Sequence, residues 1–153
     1  RGLKAVQVEI RGRKGVAAQG VVIESCKLGV FPETVASWNN NQTRYAAIST
    51  SGVYVYGNMC ERCIVRRNHI QYVRRGIISG PGMLIEDNVI EKPVGDGIRV
   101  ASHDVTVRRN IVRSCLAVDG DHRDLLQVYA GRTIVRGPVV ENNVFWSGWP
   151  ANA

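Results

Sequence analysis

One eight-residue pattern recurs along this chain and limits what it can fold into. The pattern is apolar, any, apolar, polar, polar, Asn, any, apolar. It reads Cys63-Ile64-Val65-Arg66-Arg67-Asn68-His69-Ile70, then Met83-Leu84-Ile85-Glu86-Asp87-Asn88-Val89-Ile90. It returns as Val105-Thr106-Val107-Arg108-Arg109-Asn110-Ile111-Val112 and as Pro138-Val139-Val140-Glu141-Asn142-Asn143-Val144-Phe145. A degenerate copy, Val21-Val22-Ile23-Glu24-Ser25-Cys26-Lys27-Leu28, carries Cys26 in the Asn place. The Asn residues are 20, 22 and 33 positions apart. That period is short for helical repeats, and the β-branched, period-2 alternation inside each copy favours strands. Successive copies then stack as parallel strands, and each Asn amide is expected to bond to the Asn one coil away. Asn also tolerates the left-handed backbone that a sharp corner needs.

A second column fixes the register. Two residues before each Asn place stand Glu24, Arg66, Glu86, Arg108 and Glu141; one before it stand Ser25, Arg67, Asp87, Arg109 and Asn142. Stacked coils lie about 4.8 Å apart, so opposite charges are expected to meet at every step. Glu24 then neighbours Arg66, and residues 29 to 58 form a long excursion. Ala47-Ile48-Ser49-Thr50, Gly76-Ile77-Ile78-Ser79, Gly97-Ile98-Arg99-Val100 and Leu125-Leu126-Gln127-Val128 complete the coils. Ser51 to Gly57 reads as the excursion's returning strand. The expected fold is all-β, a solenoid of about five coils with loop insertions.

Composition bounds the rest. With 153 residues, 44% hydrophobic and 22% charged, the chain suits one folded domain over 1–153 and excludes wholesale disorder. No apolar run approaches the roughly 18 residues of a membrane helix. Net charge is +7, from 20 basic against 13 acidic residues, which admits nucleic acid, anionic lipid or an acidic polysaccharide as partner. The acidic ladder partners of Arg66, Arg67, Arg108 and Arg109 argue against nucleic acid. Cys60-Glu61-Arg62-Cys63 has the spacing of half a zinc site or of a redox pair, but no second pair follows. The four Cys are therefore expected to be buried thiols, without a disulfide framework.

The Asn-cornered coils over residues 20 to 145 resemble the right-handed parallel β-helix proteins: pectate lyases, alginate lyases and epimerases, and phage tailspike depolymerases. That resemblance implies a groove facing carbohydrate. Uronate epimerases carry Asp-Pro-His at a strand edge with Tyr and Arg nearby. Here the segment reads Asp119-Gly120-Asp121-His122-Arg123-Asp124, without Pro, and leads into Leu125 to Tyr129.

Aligning the coils puts Arg75, Asp96 and Asp124 in one column, with Ile78, Arg99 and Gln127 beside it. Elimination or epimerisation of a uronate needs a cation on the carboxylate, a base for the α-proton and an acid. Arg75 or Arg99 suits the first role, His122 the second and Tyr129 the third. Glycoside hydrolysis would instead use paired carboxylates such as Asp96 and Asp124, since a stacking distance of about 4.8 Å is close to the roughly 5 to 5.5 Å of retaining enzymes. Asp121, Arg123, Gln127 and, from the excursion, Trp38 are candidate sugar contacts. The competing reading makes Asp124 a turn cap, Asp119-Gly120 a turn dipeptide and His122 a solvated loop residue. No cofactor is expected, and calcium finds no support in the sequence.

Two functions fit: a protein acting on or binding an acidic polysaccharide, or a non-catalytic structural or adhesive module. Either belongs outside the cell, on its surface or on a virion. Trp146 and Trp149 follow the last corner and are expected to cover an open end. The opening Arg1-Gly2-Leu3-Lys4 lacks Met, and the coils stop partway round. Both point to a longer parent β-helix, or to an end that packs on another chain.

Overall fold

The computed structural model describes residues 7–13, 15–29, 51–55, 59–115, 124–129, 131 and 135–148. Among these there is no helix, and every paired strand is parallel to its neighbour. Three five-stranded sheets run the length of the solenoid. The first stacks β1 (Val8–Ile10), β5 (Ser51–Val55), β9 (Arg75–Ile78), β12 (Ile98–Val100) and β15 (Leu126–Val128). The second stacks β3 (Val22–Glu24), β7 (Ile64–Arg66), β10 (Leu84–Glu86), β13 (Thr106–Arg108) and β16 (Val139–Glu141). The third stacks β4 (Lys27–Gly29), β8 (His69–Gln71), β11 (Val89–Glu91), β14 (Ile111–Arg113) and β17 (Val144–Trp146). A short pair, β2 (Ala18–Gln19) on β6 (Cys60–Glu61), joins the first two coils. The expected five coils are present, in the expected register: Ile23, Val65, Ile85, Val107 and Val140 align, as do Glu24, Arg66, Glu86, Arg108 and Glu141.

Alternation sends one side chain of each short strand inward. Val65, Ile85, Val107, Ile70, Ile90, Val112, Val53, Ile77 and Ile98 are fully buried and form one continuous core. The Asn ladder runs through it. Asn68 donates from its backbone N–H and its Nδ2 to Asn88 Oδ1 at 3.1 and 3.0 Å. Asn88 does the same to Asn110, and Asn110 to Asn143. Each Nδ2 also donates to a carbonyl of the preceding coil: Ile23, Val65, Ile85 and Val107. In the first coil Cys26 takes part only through its backbone N–H, which donates to Asn68 Oδ1.

Four expectations need correction. The left-handed residue at the corner is not the Asn but its predecessor: Ser25, Arg67, Asp87, Arg109 and Asn142 all have φ between 53° and 57°. Such a conformation costs about 1–2 kcal/mol per non-Gly residue, and the ladder on the next residue holds it in place. The ion ladder does not close at every step, as described below. In the first sheet, Val53 pairs with Ile77, so Ser51–Val55 is the coil strand rather than a returning strand of the excursion. Ala47 to Thr50, assigned that place from the sequence, lies outside the described residues, as does the excursion from 30 to 50. Finally, Cys60 and Cys63 are both buried, as expected, but their sulfurs are joined as a disulfide; Cys26 and Cys115 are not.

Gly52, Gly76 and Gly97 stack at the entry to the first sheet. A Cβ on Gly76 would lie 2.2 Å from the Gly97 carbonyl oxygen and 2.8 Å from Ile90 Cγ2. One on Gly97 would lie 2.3 Å from Val112 Cγ1. The missing side chains let this sheet close onto the core; Arg75 and Asp96 stand immediately before Gly76 and Gly97, and Asp124 continues their column on the next coil, where Leu125 takes the glycine place.

Candidate functional site

The charged face of the first sheet is built from β9, β12 and β15 and the residues that lead into them. Gly76 N–H donates to the Asp96 carbonyl and Gly97 N–H to that of Asp124, so Arg75, Asp96 and Asp124 occupy successive coils as expected. Arg99 aligns with Ile78 on one side and Gln127 on the other. Arg99 projects outward because Ile98 and Val100 on either side of it are fully buried.

Asp96 is the centre of the cluster and only 2% exposed. Its Oδ2 lies 2.6 Å from Arg99 Nη2 and 3.5 Å from Arg75 Nε. Neither contact has hydrogen-bond geometry, so attraction between the charges, rather than a directed bond, holds the three together. Burial, reinforced by the neighbouring guanidiniums of Arg99 and Arg74, pulls Arg75 below the usual arginine range, and Asp96 opposes that shift. Arg75 stays cationic at neutral pH all the same. On the next coil Gln127 Nε2 donates to Asp124 Oδ2 at 2.9 Å. The Arg99 guanidinium stands 5.3 Å from the centre of the Tyr129 ring, a cation–π arrangement, and Tyr129 is 56% exposed. Among the described residues, Arg99 Nε and Gln127 Oε1 are buried without a partner.

Six of the ten residues singled out from the sequence therefore meet on this face: Arg75, Asp96, Arg99, Asp124, Gln127 and Tyr129. His122, Asp121, Arg123 and Trp38 lie outside the described residues. Two residues of the neighbourhood escaped sequence reasoning. A cavity of about 390 Å³ opens beside Asp124 and Leu125, and Cys115 and Ser147 also line it. Cys115 read as one more core thiol, and Ser147 follows the last strand with no motif to mark it.

The opposite faces are different in kind. Glu24 accepts from Arg66 and Arg67, each at 2.7 Å. Glu86 meets Arg108 and Arg109, and Arg109 also binds Asp87. Hydrogen bonds from Arg67 and Arg66 hold Glu24 below the usual carboxylate range, and one from Arg109 does the same for Asp87. Among the described residues no ion pair joins Arg66 or Arg67 to Glu86 or Asp87. The ladder is thus made of separate acidic–basic coil pairs. Arg66, Arg67, Arg108 and Arg109 are each paired with an acidic side chain of the preceding coil. Among the described residues no group of three or more metal-ligating side chains gathers, and no helix is long and apolar enough to cross a membrane.

Parallel coils, an internal Asn ladder and a charged outer face define a parallel β-solenoid. The right-handed β-helix region model matches residues 6–150, and the chain belongs to that family. Comparison with curated proteins and with solved structures gives no match.

Proposed function

We propose that the Arg75–Tyr129 face binds an acidic polysaccharide. The observation that carries this is a pair of buried polar atoms with no partner among the described residues, Arg99 Nε and Gln127 Oε1, beside the exposed Tyr129 ring. Folded proteins leave few such groups unmatched, and those they do leave call for an explanation such as a functional role. A side-chain turn of Arg99 or Gln127 presents a cation and an amide to a sugar carboxylate and hydroxyl, while Tyr129 offers a ring face to the sugar C–H groups. Asp96 has two guanidiniums on its carboxylate and almost no exposure, so its role is to position Arg75 and Arg99 rather than to touch sugar. That weakens the hydrolytic pairing of Asp96 with Asp124. Elimination or epimerisation fits better: Arg99 neutralises the uronate carboxylate, His122 takes the α-proton, and Tyr129 protonates the departing oxygen in elimination or the opposite face of the carbanion in epimerisation. Such a substrate places the protein outside the cell, on its surface or on a virion.

The test is binding of polygalacturonate and alginate to the parent chain, Arg99→Ala and Tyr129→Ala. Expected is a loss of about tenfold or more in each variant, the loss in Arg99→Ala shrinking as salt rises. Equal binding by all three chains would sink the reading. Appearance of unsaturated uronates by ultraviolet absorbance, abolished by His122→Ala, would add lyase chemistry. A structural or adhesive module is the second reading, favoured by one observation: Arg75 and Arg99 are balanced in charge by Asp96 and Asp124 within the cluster itself.

A further inference from the structure

The last coil is folded like the others but is not covered like them. Val65, Ile85 and Val107 are completely buried, whereas Val140, in the same inward column, is 43% exposed. Ile70, Ile90 and Val112 are completely buried, whereas Phe145 is 37% exposed. Val139, Val144 and Trp146 are exposed beside them. Among the described residues, strands β15, β16 and β17 have a partner on one side only. This end is therefore an apolar surface bordered by open strand edges, the arrangement that takes up an added strand.

Two polarities on the page say what kind of strand fits. The Asn ladder has a direction. Each Asn donates its backbone N–H and Nδ2 to the Oδ1 of the Asn on the following coil. Among the described residues, no acceptor faces the backbone N–H of Asn143, where the ladder ends. The ion pairs have a direction too. Arg66 and Arg67 reach back to Glu24, and Arg108 and Arg109 reach back to Glu86 and Asp87. An acidic coil is followed each time by an Arg-Arg coil. The fifth coil is acidic again at Glu141, and among the described residues Glu141 has no ion pair. A second copy stacked head to tail does not supply the match, because its first coil would set Glu24 over Glu141 and Cys26 over Asn143.

We propose that this end is a docking edge for a parallel β-strand of a partner chain that carries two consecutive arginines followed by asparagine. The arginines reach back to Glu141, the asparagine Oδ1 accepts from Asn143, and the apolar residues before and after them cover Val140 and Phe145.

A synthetic peptide with the sequence of residues 105–113, which stacks on an acidic coil within this chain, is the probe. Its control has glutamate in place of the two consecutive arginines, Arg108 and Arg109, and keeps Arg113. Each is titrated into the full chain at low salt, with Trp fluorescence and the backbone amide signals of Val140, Asn143 and Phe145 as readouts. The arginine peptide is expected to bind about tenfold more tightly than its control, since close charge pairs at an interface couple by that much or more. Glu141→Lys, an exposed position whose fold is checked by circular dichroism, is expected to reverse the preference. Absence of saturable binding, equal binding of both peptides, or a preference unchanged in Glu141→Lys would each overturn the proposal. So would self-association of the chain that perturbs the same amide signals and persists in Glu141→Lys, because the occupant would then be a second copy.

Discussion

Two amide side chains show how this solenoid divides its surface. Asn88 lies in the corner column and is completely buried, with Oδ1 accepting two bonds from Asn68 and Nδ2 donating to Val65 and Asn110. Gln127 lies on the charged face; its Nε2 bonds to Asp124, and among the described residues its buried Oε1 has nothing to accept from. The corner repeats the same residue in four coils and satisfies it. The charged face changes from coil to coil, through Arg75, Asp96 and Asp124 in one column and Ile78, Arg99 and Gln127 in the next. Repetition serves the stack, and variation marks where the molecule has something else to do.

The largest effect should follow from breaking the corner. Asn88→Leu removes the acceptor from two Asn68 donors and the donor from the Val65 carbonyl, all in the core. At about 1–3 kcal/mol for each buried group left unpaired, a loss of about 4 kcal/mol in urea denaturation is expected. Gln127→Ala should cost less than about 0.5 kcal/mol in the same assay, because it also removes an unsatisfied oxygen. Equal losses would show that the two amides are not differently used. The inward columns give a second contrast. Ile90→Ala, fully buried, should cost about 3 kcal/mol, and Phe145→Ala, open to solvent, about 1 kcal/mol. Adding the arginine peptide should raise the second value, which ties this measurement to the docking edge.

The register of the stack was legible because it depends only on period. One Asn every turn fixes which residues lie above which, and the alternation of strands fixes which point inward. The same arithmetic put Arg75, Asp96 and Asp124 together. It failed where the answer depends on how a side chain reaches. Register places Arg67 midway between Ser25 and Asp87, yet its guanidinium turns back to Glu24. Register also cannot say that Arg99 stacks on Tyr129, or that the Cys60 and Cys63 sulfurs meet. In the first full coil the sequence offers two candidates for the strand, because Ile48 resembles Ile77 as closely as Val53 does, and the structure uses Val53. The stronger signal was Gly52, whose Cβ would lie 2.5 Å from Ile70 Cγ2, as those of Gly76 and Gly97 would crowd Ile90 and Val112. A glycine forced by packing is a better marker of register than an apolar residue, because fewer alternatives satisfy it.

Asp96→Asn tests the charged face by itself. It removes the charge that Arg75 and Arg99 share, and leaves two half-buried cations side by side. Breaking a fully buried pair costs about 3–5 kcal/mol; with both guanidiniums partly open to solvent, about 2 kcal/mol is expected in urea denaturation. Polyuronate binding separates the readings further. If Asp96 only positions the arginines, the variant should bind weakly and regain affinity at low salt. If the face is purely structural, no polyuronate binds to either chain.

A small effect is also expected on the third sheet, where Glu91 joins His69 at 2.6 Å and also accepts from Arg113. Burial raises its pKa, but the hydrogen bonds from His69 and Arg113 outweigh that, and the group lies below the usual glutamate range. A carboxylate with a depressed pKa in the fold stabilises the protein fully above its unfolded value, roughly pH 4.3. That contribution is lost as pH falls below this value and through the folded one. Stability of the parent chain should therefore decline over that acid range by more than that of Glu91→Gln, and the two curves should converge at the acid end. The difference at neutral pH should stay under about 1 kcal/mol, because the pair is partly open to solvent. Parallel curves from neutral to acid pH would mean that the His69–Glu91–Arg113 group contributes packing alone. The third sheet would then owe its hold on the stack to the apolar column of Leu28, Ile70, Ile90 and Val112, with no share from charge.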